Sequence, residues 1–383
     1  MLAEAFFWFL LVVIAYVFVG YPLVLWLLSL GIKAPVRQDP EIWPTVSLII
    51  SAYNEELVIA QKLDNSLALH YLRNRLDVVV ASDASFDRTD AIAQGYADRG
   101  VRLVRVEERQ GKTSIQNQAV ATCSSEILVF SDANAMYDLD ALNHLVCPFL
   151  DPAVGVVEGR RLDHNPDSSA VGNLELTYRD YESWIKLLES RVATCTGATG
   201  PIYAVRRASF VALSPDTIGD LMEPILIRYL HGLKHVFEPR AISREEVLSR
   251  MANETARKVR IMTRCLSSIT QVPGLLNPLR NGLFSLQIWS HRLLRWLLPV
   301  FWLPHFLLGL FLLDRFRVQV IMAIWLLFLV AAGIGYGLDK RNLGQPIFRM
   351  PYYLFSANRA AWIAFLNWLR GRRIVTWSPD RRP

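Results

Sequence analysis

Between residues 2 and 30 the chain carries a single charged side chain, Glu4, and no other stretch constrains its architecture as much. At about 1.5 Å per helical residue, about twenty apolar residues cover the roughly 30 Å of a bilayer's hydrocarbon core, so this run is long enough to cross. It lacks the basic start, short apolar run and small-residue cleavage site of a removable signal peptide, and it reads as a retained anchor. A kink is expected at Gly20, Tyr21 and Pro22. Lys33 and Arg37 follow at once, and because basic flanks stay in the cytoplasm, the next domain is expected there.

Strong apolarity returns only in the last hundred residues. Residues 293–313 and 318–338 are apolar runs separated by Asp314, Arg315, Phe316 and Arg317, the pattern of a transmembrane hairpin. Residues 352–369 contain Asn358, Arg359, Asn367 and two tryptophans and lead into Arg370, Arg372 and Arg373. That amphipathic composition suits a helix lying in the interface, and a crossing there would carry the basic cluster outside. The expected organisation is therefore an anchor over residues 1–32, a water-soluble domain over 44–265, linker helices over 266–292, a hairpin over 293–338 and an interfacial helix with a basic tail over 350–383. Arg292 to Trp296 are expected to anchor the hairpin at the membrane surface. With few crossings and no ionisable residue in mid-span, a transporter or channel is a poor reading.

Of 383 residues 52% are hydrophobic, and the net charge is +6. The excess of Lys and Arg lies beside the apolar runs, which points to membrane lipids and not nucleic acid as the partner of that charge. Cys123, Cys147, Cys195 and Cys265 have no metal-ligand spacing, so they are expected to be reduced, structural thiols.

Within the soluble domain, residues 46–51, 76–81, 102–106 and 127–131 are short β-branched runs, each followed by a polar loop and a helical pattern. This is an α/β arrangement of parallel strands, in which ligands bind beyond the carboxyl ends. The first strand ends in Ala52, Tyr53, Asn54, Glu55 and Glu56, where Asn54 also suits a helix cap. The second ends at Asp83, a carboxylate able to accept hydrogen bonds from a base or ribose. After the third comes Gly111-Lys112, a turn for a phosphate that lacks the upstream glycine of a P-loop. The fourth runs into Asp132 and Asn134, two oxygen donors suited to a hard divalent cation shared with a diphosphate.

Together, Ala52-Tyr53-Asn54-Glu55-Glu56, Asp83 with Ser85 and Asp87, Gly111-Lys112 and Ser131-Asp132-Ala133-Asn134 resemble glycosyltransferase family 2. This is the inverting GT-A group that includes cellulose and hyaluronan synthases, and the likeness extends over residues 44–265. It implies a GT-A (nucleotide-diphospho-sugar transferase) Rossmann-like domain flanked by transmembrane helices, a nucleotide-sugar donor, expected to be a UDP-sugar, and Mg or Mn as cofactor. The acceptor it implies is a lipid-linked saccharide or polysaccharide, with possible polysaccharide assembly partners, at the inner membrane of a cell with the catalytic domain in the cytoplasm.

On that resemblance Ala52, Tyr53, Asn54, Glu55, Asp83, Lys112, Asp132 and Arg260 bind the donor, with Asp83 on the base, and Asp132 and Asn134 hold the metal. Many relatives have aspartate at the position of Asn134, and an amide holds a cation less strongly than a carboxylate. Residues 196–206, with Gly197, Thr199 and Gly200, resemble the segment bordering the acceptor. An inverting transfer also needs a carboxylate to take the acceptor's proton. Where relatives have two adjacent acids, this chain has Asp220 followed by Leu221, and both Asp220 and Glu223 are candidates. The family's processive members carry Gln-x-x-Arg-Trp, of which only Arg260 is present, so non-processive transfer is expected. A non-catalytic nucleotide-sugar-binding subunit is the alternative.

Overall fold

The computed structural model describes residues 1–32, 41–164, 170–246, 251–341 and 346–372. Lys33, Arg37 and Arg373, which support the topology expected from sequence, lie outside them. Eight strands form one sheet: β1 (Val46–Ala52), β2 (Leu76–Ser82), β3 (Val101–Arg105), β4 (Ile127–Asp132), β5 (Met136–Tyr137), β6 (Val154–His164), β7 (Tyr203–Arg206) and β8 (Lys234–Glu246). Their order is β3-β2-β1-β4-β7-β6-β8-β5. The first four are parallel, β7 is antiparallel to β4 and β6, and β8 is parallel to β6.

Every residue of β1 is buried, because both faces of the sheet are covered. Leu48 and Ile50 pack on one side with Val78 and Val80, while Ile49 packs on the other with Val79 and Phe130. The four parallel strands fall within a residue of their expected limits, and the four cysteines are buried and form no disulfide.

Ten helices matter for the site: α1 (Leu2–Ser29), α2 (Ile59–Leu67), α3 (Lys112–Ala121), α4 (Ala170–Val192), α5 (Gly219–His231), α6 (Met251–Thr270), α7 (Leu283–Trp296), α8 (Leu298–Phe311), α9 (Phe316–Lys340) and α10 (Pro346–Leu369). Two of these, α1 and α9, are long and apolar enough to cross a membrane. In α1 the expected kink is a π turn at Tyr16–Gly20 just before Pro22.

Three expectations about the membrane-proximal part are corrected. The first limb of the hairpin is two helices, α7 and α8, bent by 59°. Pro299 in the first turn of α8 has no N–H to extend the ladder back into α7. The boundary at residue 265 falls inside α6, whose Cys265, Leu266 and Ile269 share one core with Leu221 and Ile225 of α5 and Phe284 and Ile288 of α7. Arg292 and Arg295 do not anchor at a lipid surface: Arg292 donates to the carbonyls of Thr196 (2.8 Å) and Gly197 (3.2 Å), and Arg295 pairs with Glu182. Helix α10 rests on the catalytic domain, with Trp368 Nε1 donating to Thr270 Oγ1 at 3.1 Å.

Candidate active site

A cleft of about 550 Å³ opens beyond the carboxyl ends of β1 and β4 and is bounded by α4, α5, α6 and α7. Of the residues expected there, Glu55, Lys112, Asp132, Asn134, Thr199, Gly200, Asp220 and Arg260 line it. Ala52, Tyr53, Asn54, Asp83, Gly197 and Glu223 are not on its wall.

The first two strand tips are stitched to each other. Asn54 adopts φ +54°, a left-handed conformation its short polar side chain tolerates. Its N–H donates to Ser85 Oγ (3.1 Å) and its Oδ1 accepts from Phe86 N (3.0 Å), so it caps this loop and not a helix. Glu55 N donates to Thr89 Oγ1 at 2.8 Å and Glu56 N to Asp87 Oδ2 at 3.1 Å. Tyr53 lies under the Arg109 guanidinium, 3.8 Å from the ring centroid.

Asp83 is fully buried, and its carboxylate accepts from the backbone N–H groups of Gln110 (2.8 Å) and Gly111 (3.0 Å). In this structure Asp83 thus shapes the turn that delivers Lys112. At Gly111, φ is +94°, a conformation that a side chain would strain, and α3 begins on the next residue.

Lys112, Asp132 and Asp220 meet around Gly200. The Lys112 ammonium pairs with Asp132 Oδ1. A Cβ placed on Gly200 would lie 2.8 Å from Asp220 Oδ2 and 3.1 Å from Lys112 Nζ, so the bare backbone is what admits both groups. Burial alone would lower the Lys112 pKa, but the charges of Asp132 and Asp220 outweigh it and hold the amine above its usual value. Burial raises the Asp220 carboxyl; Lys112 opposes this and Asp132 adds to it. Asp220 thus combines a place on the wall with a raised proton affinity.

Glu223 is different. It is 2% exposed, accepts from the Tyr203 hydroxyl at 3.1 Å, and is pushed up to about 8, chiefly by burial. One helical turn beyond Asp220, it is held by Tyr203 and lies off the wall of the cleft, which corrects its candidacy as base.

Three groups were invisible to sequence reasoning. Lys62 of α2, fully buried, donates to the Ala135 carbonyl beneath the Asp132–Asn134 loop, stands over the Tyr137 ring, and is pulled down to about 7 by burial. Glu245 of β8 lines the cleft, accepts from Arg161 at 3.0 Å and receives Asn134 Nδ2 at 3.5 Å. The third is a buried relay behind the segment 196–200. Tyr21 of α1 donates to Glu189 of α4 (2.5 Å), and His291 of α7 faces Glu189 through Nδ1 (2.9 Å) and Glu182 through Nε2 (3.0 Å). Close by, Tyr16 meets Ser290 at 2.8 Å, joining the π turn of α1 to a second one at Ile288–Leu293.

A mixed α/β sheet whose strand tips and following helices present oxygen donors, an ammonium and a raised carboxyl to one cleft defines the class: a GT-A glycosyltransferase fold. Residues 47–210 match the family model described as Glycosyl transferase family 2. Among its relatives, the probable glycosyltransferase YdaM of Bacillus subtilis (strain 168) is 30% identical over 130 residues, covering 32% of this chain and 31% of YdaM. An N-acetylglucosaminyltransferase of Rhizobium sp. (strain N33) is 28% identical over 191 residues, 47% of this chain and 42% of the relative. The poly-beta-1,6-N-acetyl-D-glucosamine synthase of Staphylococcus aureus (strain COL) is 26% identical over 206 residues, 51% and 48%. The match spans under half the length of each. Among solved structures, the mannosyltransferase PcManGT of Pyrobaculum calidifontis, in complex with GDP-Man and Mn2+, superposes with a TM-score of 0.71 at 21% identity, covering 97% of this chain and 99% of that one. At that identity the likeness is one of fold.

Proposed function

We propose that this chain is a membrane-bound inverting glycosyltransferase that moves a sugar from a nucleoside diphosphate donor to a lipid-linked saccharide or polysaccharide, without processive elongation. The observation that carries this reading is the convergence of Asp220 and Lys112 on the bare backbone of Gly200, with Asp132 paired to Lys112.

In that chemistry the acceptor oxygen attacks the anomeric carbon as the bond from that carbon to the diphosphate breaks, and the configuration inverts. Asp220 takes the acceptor's proton; its raised affinity suits a base that must hold a proton while the bond forms. The departing electron pair remains on the diphosphate, where Lys112 supplies positive charge. Arg257, Arg260 and Arg264 of α6 make the opposite wall basic, as two phosphates require. A divalent cation, when bound, would neutralise further charge on the leaving group, and the carboxylate of Asp132 with the amide oxygen of Asn134 are the hard donors for it. PcManGT was solved with Mn2+ and GDP-Man, which supports a manganese or magnesium ion here and leaves UDP- and GDP-sugars both to be tried.

The acceptor side faces the membrane helices: Thr199 and Gly200 border the cleft, with Arg292 of α7 and Tyr353 of α10 at its far end. Ile261 stands where processive relatives have tryptophan, which supports single transfers. The basic residues beside the apolar runs support a catalytic domain on the cytoplasmic face of an inner membrane.

The test is release of nucleoside diphosphate from a panel of UDP- and GDP-sugars by detergent-purified protein, with Mn2+, Mg2+ or chelator and with membrane lipid extract as acceptor source. Turnover of one donor, lost in Asp132→Ala and Asp220→Ala, is the expected result. Donor binding with no turnover under any condition would overturn catalysis in favour of a nucleotide-sugar-binding subunit.

A further inference from the structure

The cation site as read from the fourth strand is poor for a hard divalent ion: one carboxylate, Asp132, already engaged by Lys112, and one neutral amide, Asn134. The fold brings a second carboxylate to the same place from more than a hundred residues away. Strand β5 begins two residues after Asn134 and pairs antiparallel with β8, Met136 opposite Arg244 and Tyr137 opposite Ser243. Side chains alternate along β8, so Arg244 turns outward to Asp138 (2.7 Å), while Ser243 and Glu245 turn inward. The inward register sets Glu245 beside the Asp132–Asn134 loop and on the wall of the cleft.

Glu245 is 5% exposed, and its two oxygens differ. Oε2 is held by Arg161 at 3.0 Å and by Asn134 Nδ2 at 3.5 Å, whereas Oε1 is buried without a hydrogen-bond partner among the described residues. An unsatisfied buried carboxylate oxygen is costly unless something positive completes it. Arg161 does not cancel this charge alone, because it also pairs with Asp163. With Nδ2 turned to Glu245, the Asn134 amide presents its Oδ1 elsewhere, as a ligand must.

We propose that Glu245 is a third protein ligand of the divalent cation, supplying through Oε1 the second carboxylate that Asn134 withholds. The inference rests on the proposed function only in requiring a cation at Asp132. The experiment measures Mn2+ binding to the full chain in detergent by electron paramagnetic resonance, with UDP or GDP present, for wild type, Asp132→Asn, Glu245→Gln and Asn134→Asp.

Glu245→Gln should weaken Mn2+ binding by at least about tenfold, with the melting temperature of the metal-free protein preserved. Combined with Asn134→Asp, the same change should cost much less, since the second carboxylate is then supplied locally. A glutamine still accepts from Asn134, so a merely orienting Glu245 would leave affinity intact, and unchanged binding in Glu245→Gln overturns the proposal. Should that variant not fold, Glu245→Asp, which withdraws the carboxylate by one methylene, must show the same loss. No Mn2+ binding by wild type would also overturn it, whereas metal-independent turnover would leave the transferase reading standing.

Discussion

Replacing Gly200 by alanine adds one methyl group at the point where the proposed base and the phosphate-facing lysine meet. The new Cβ would sit 2.8 Å from Asp220 Oδ2, about 0.6 Å inside the 3.4 Å at which ordinary contact begins, and 3.1 Å from Lys112 Nζ. The backbone at Gly200 is not in the left-handed region, so alanine is tolerated there, and the lost chain freedom of the unfolded state offsets part of any strain, by about 0.4–1 kcal/mol. Relief must come from the side chains. Lys112 is tied to Asp132 and Asp220 stands on the first turn of α5, so the carboxylate is expected to swing by about half an ångström. Misplacement by about 1 Å costs on the order of a hundredfold in rate, which sets the expected loss in kcat at roughly ten- to a hundredfold. The assay is steady-state nucleoside diphosphate release at saturating donor, with the donor KM and the melting temperature followed in parallel. Wild-type kcat in Gly200→Ala, or a loss matched by unfolding, would refute the argument that these three groups act from one packed position.

Other consequences can be measured directly. Asp220→Asn should lower kcat by about two to four orders of magnitude while donor binding, followed by calorimetry, is retained. Because burial raises the Asp220 carboxyl and the base must be unprotonated, wild-type activity should fall as pH drops through a value above the ordinary carboxylate range; an acid limb at the ordinary value would contradict this. At Glu223, raised to about 8, the sign of the linkage is fixed: its stabilising contribution is complete below the usual value near 4.5, declines as pH rises and is gone above about 8. Glu223→Gln, which still accepts from Tyr203, should flatten the melting temperature between those limits, and an unchanged pH profile would refute the assignment. His291→Ala removes the hydrogen-bond partner shared by Glu182 and Glu189, which keep Arg295 and Tyr21, and should cost about 1–3 kcal/mol, read as earlier thermal unfolding in detergent.

Much of this site was legible because it is local. The β-branched runs 46–51 and 127–131 end in polar residues, and a parallel strand delivers its tip to the ligand side, so Glu55, Asp132 and Asn134 could be placed before any coordinates. Lys112 followed from the glycine before it. What stayed hidden did so for want of partners. Asp83 looks like a ligand-facing carboxylate until the amides of Gln110 and Gly111 fold back onto it, and Glu223 shares a helix with Asp220 but meets Tyr203. Glu245 and Lys62 reach the cation loop through a strand pairing and a helix packing that no motif spacing records. Arg292 looked like a membrane anchor because it precedes an apolar run, but its partner, the Thr196 carbonyl, lies almost a hundred residues away.

The relay from Tyr21 through Glu189, His291 and Glu182 to Arg295 carries a geometric consequence. It ties a helix long and apolar enough to cross a membrane, a wall of the cleft and the bent helix to one another, so under the proposed function the proposed base, Asp220, would stand at a set height above the bilayer instead of riding on a loose tether. On the proposed chemistry the protein then works as a ruler. An acceptor whose hydroxyl lies too near its lipid, or too far out, misses that plane whatever its sugar, and the length of the stalk between lipid and hydroxyl selects the substrate before any recognition of the sugar begins.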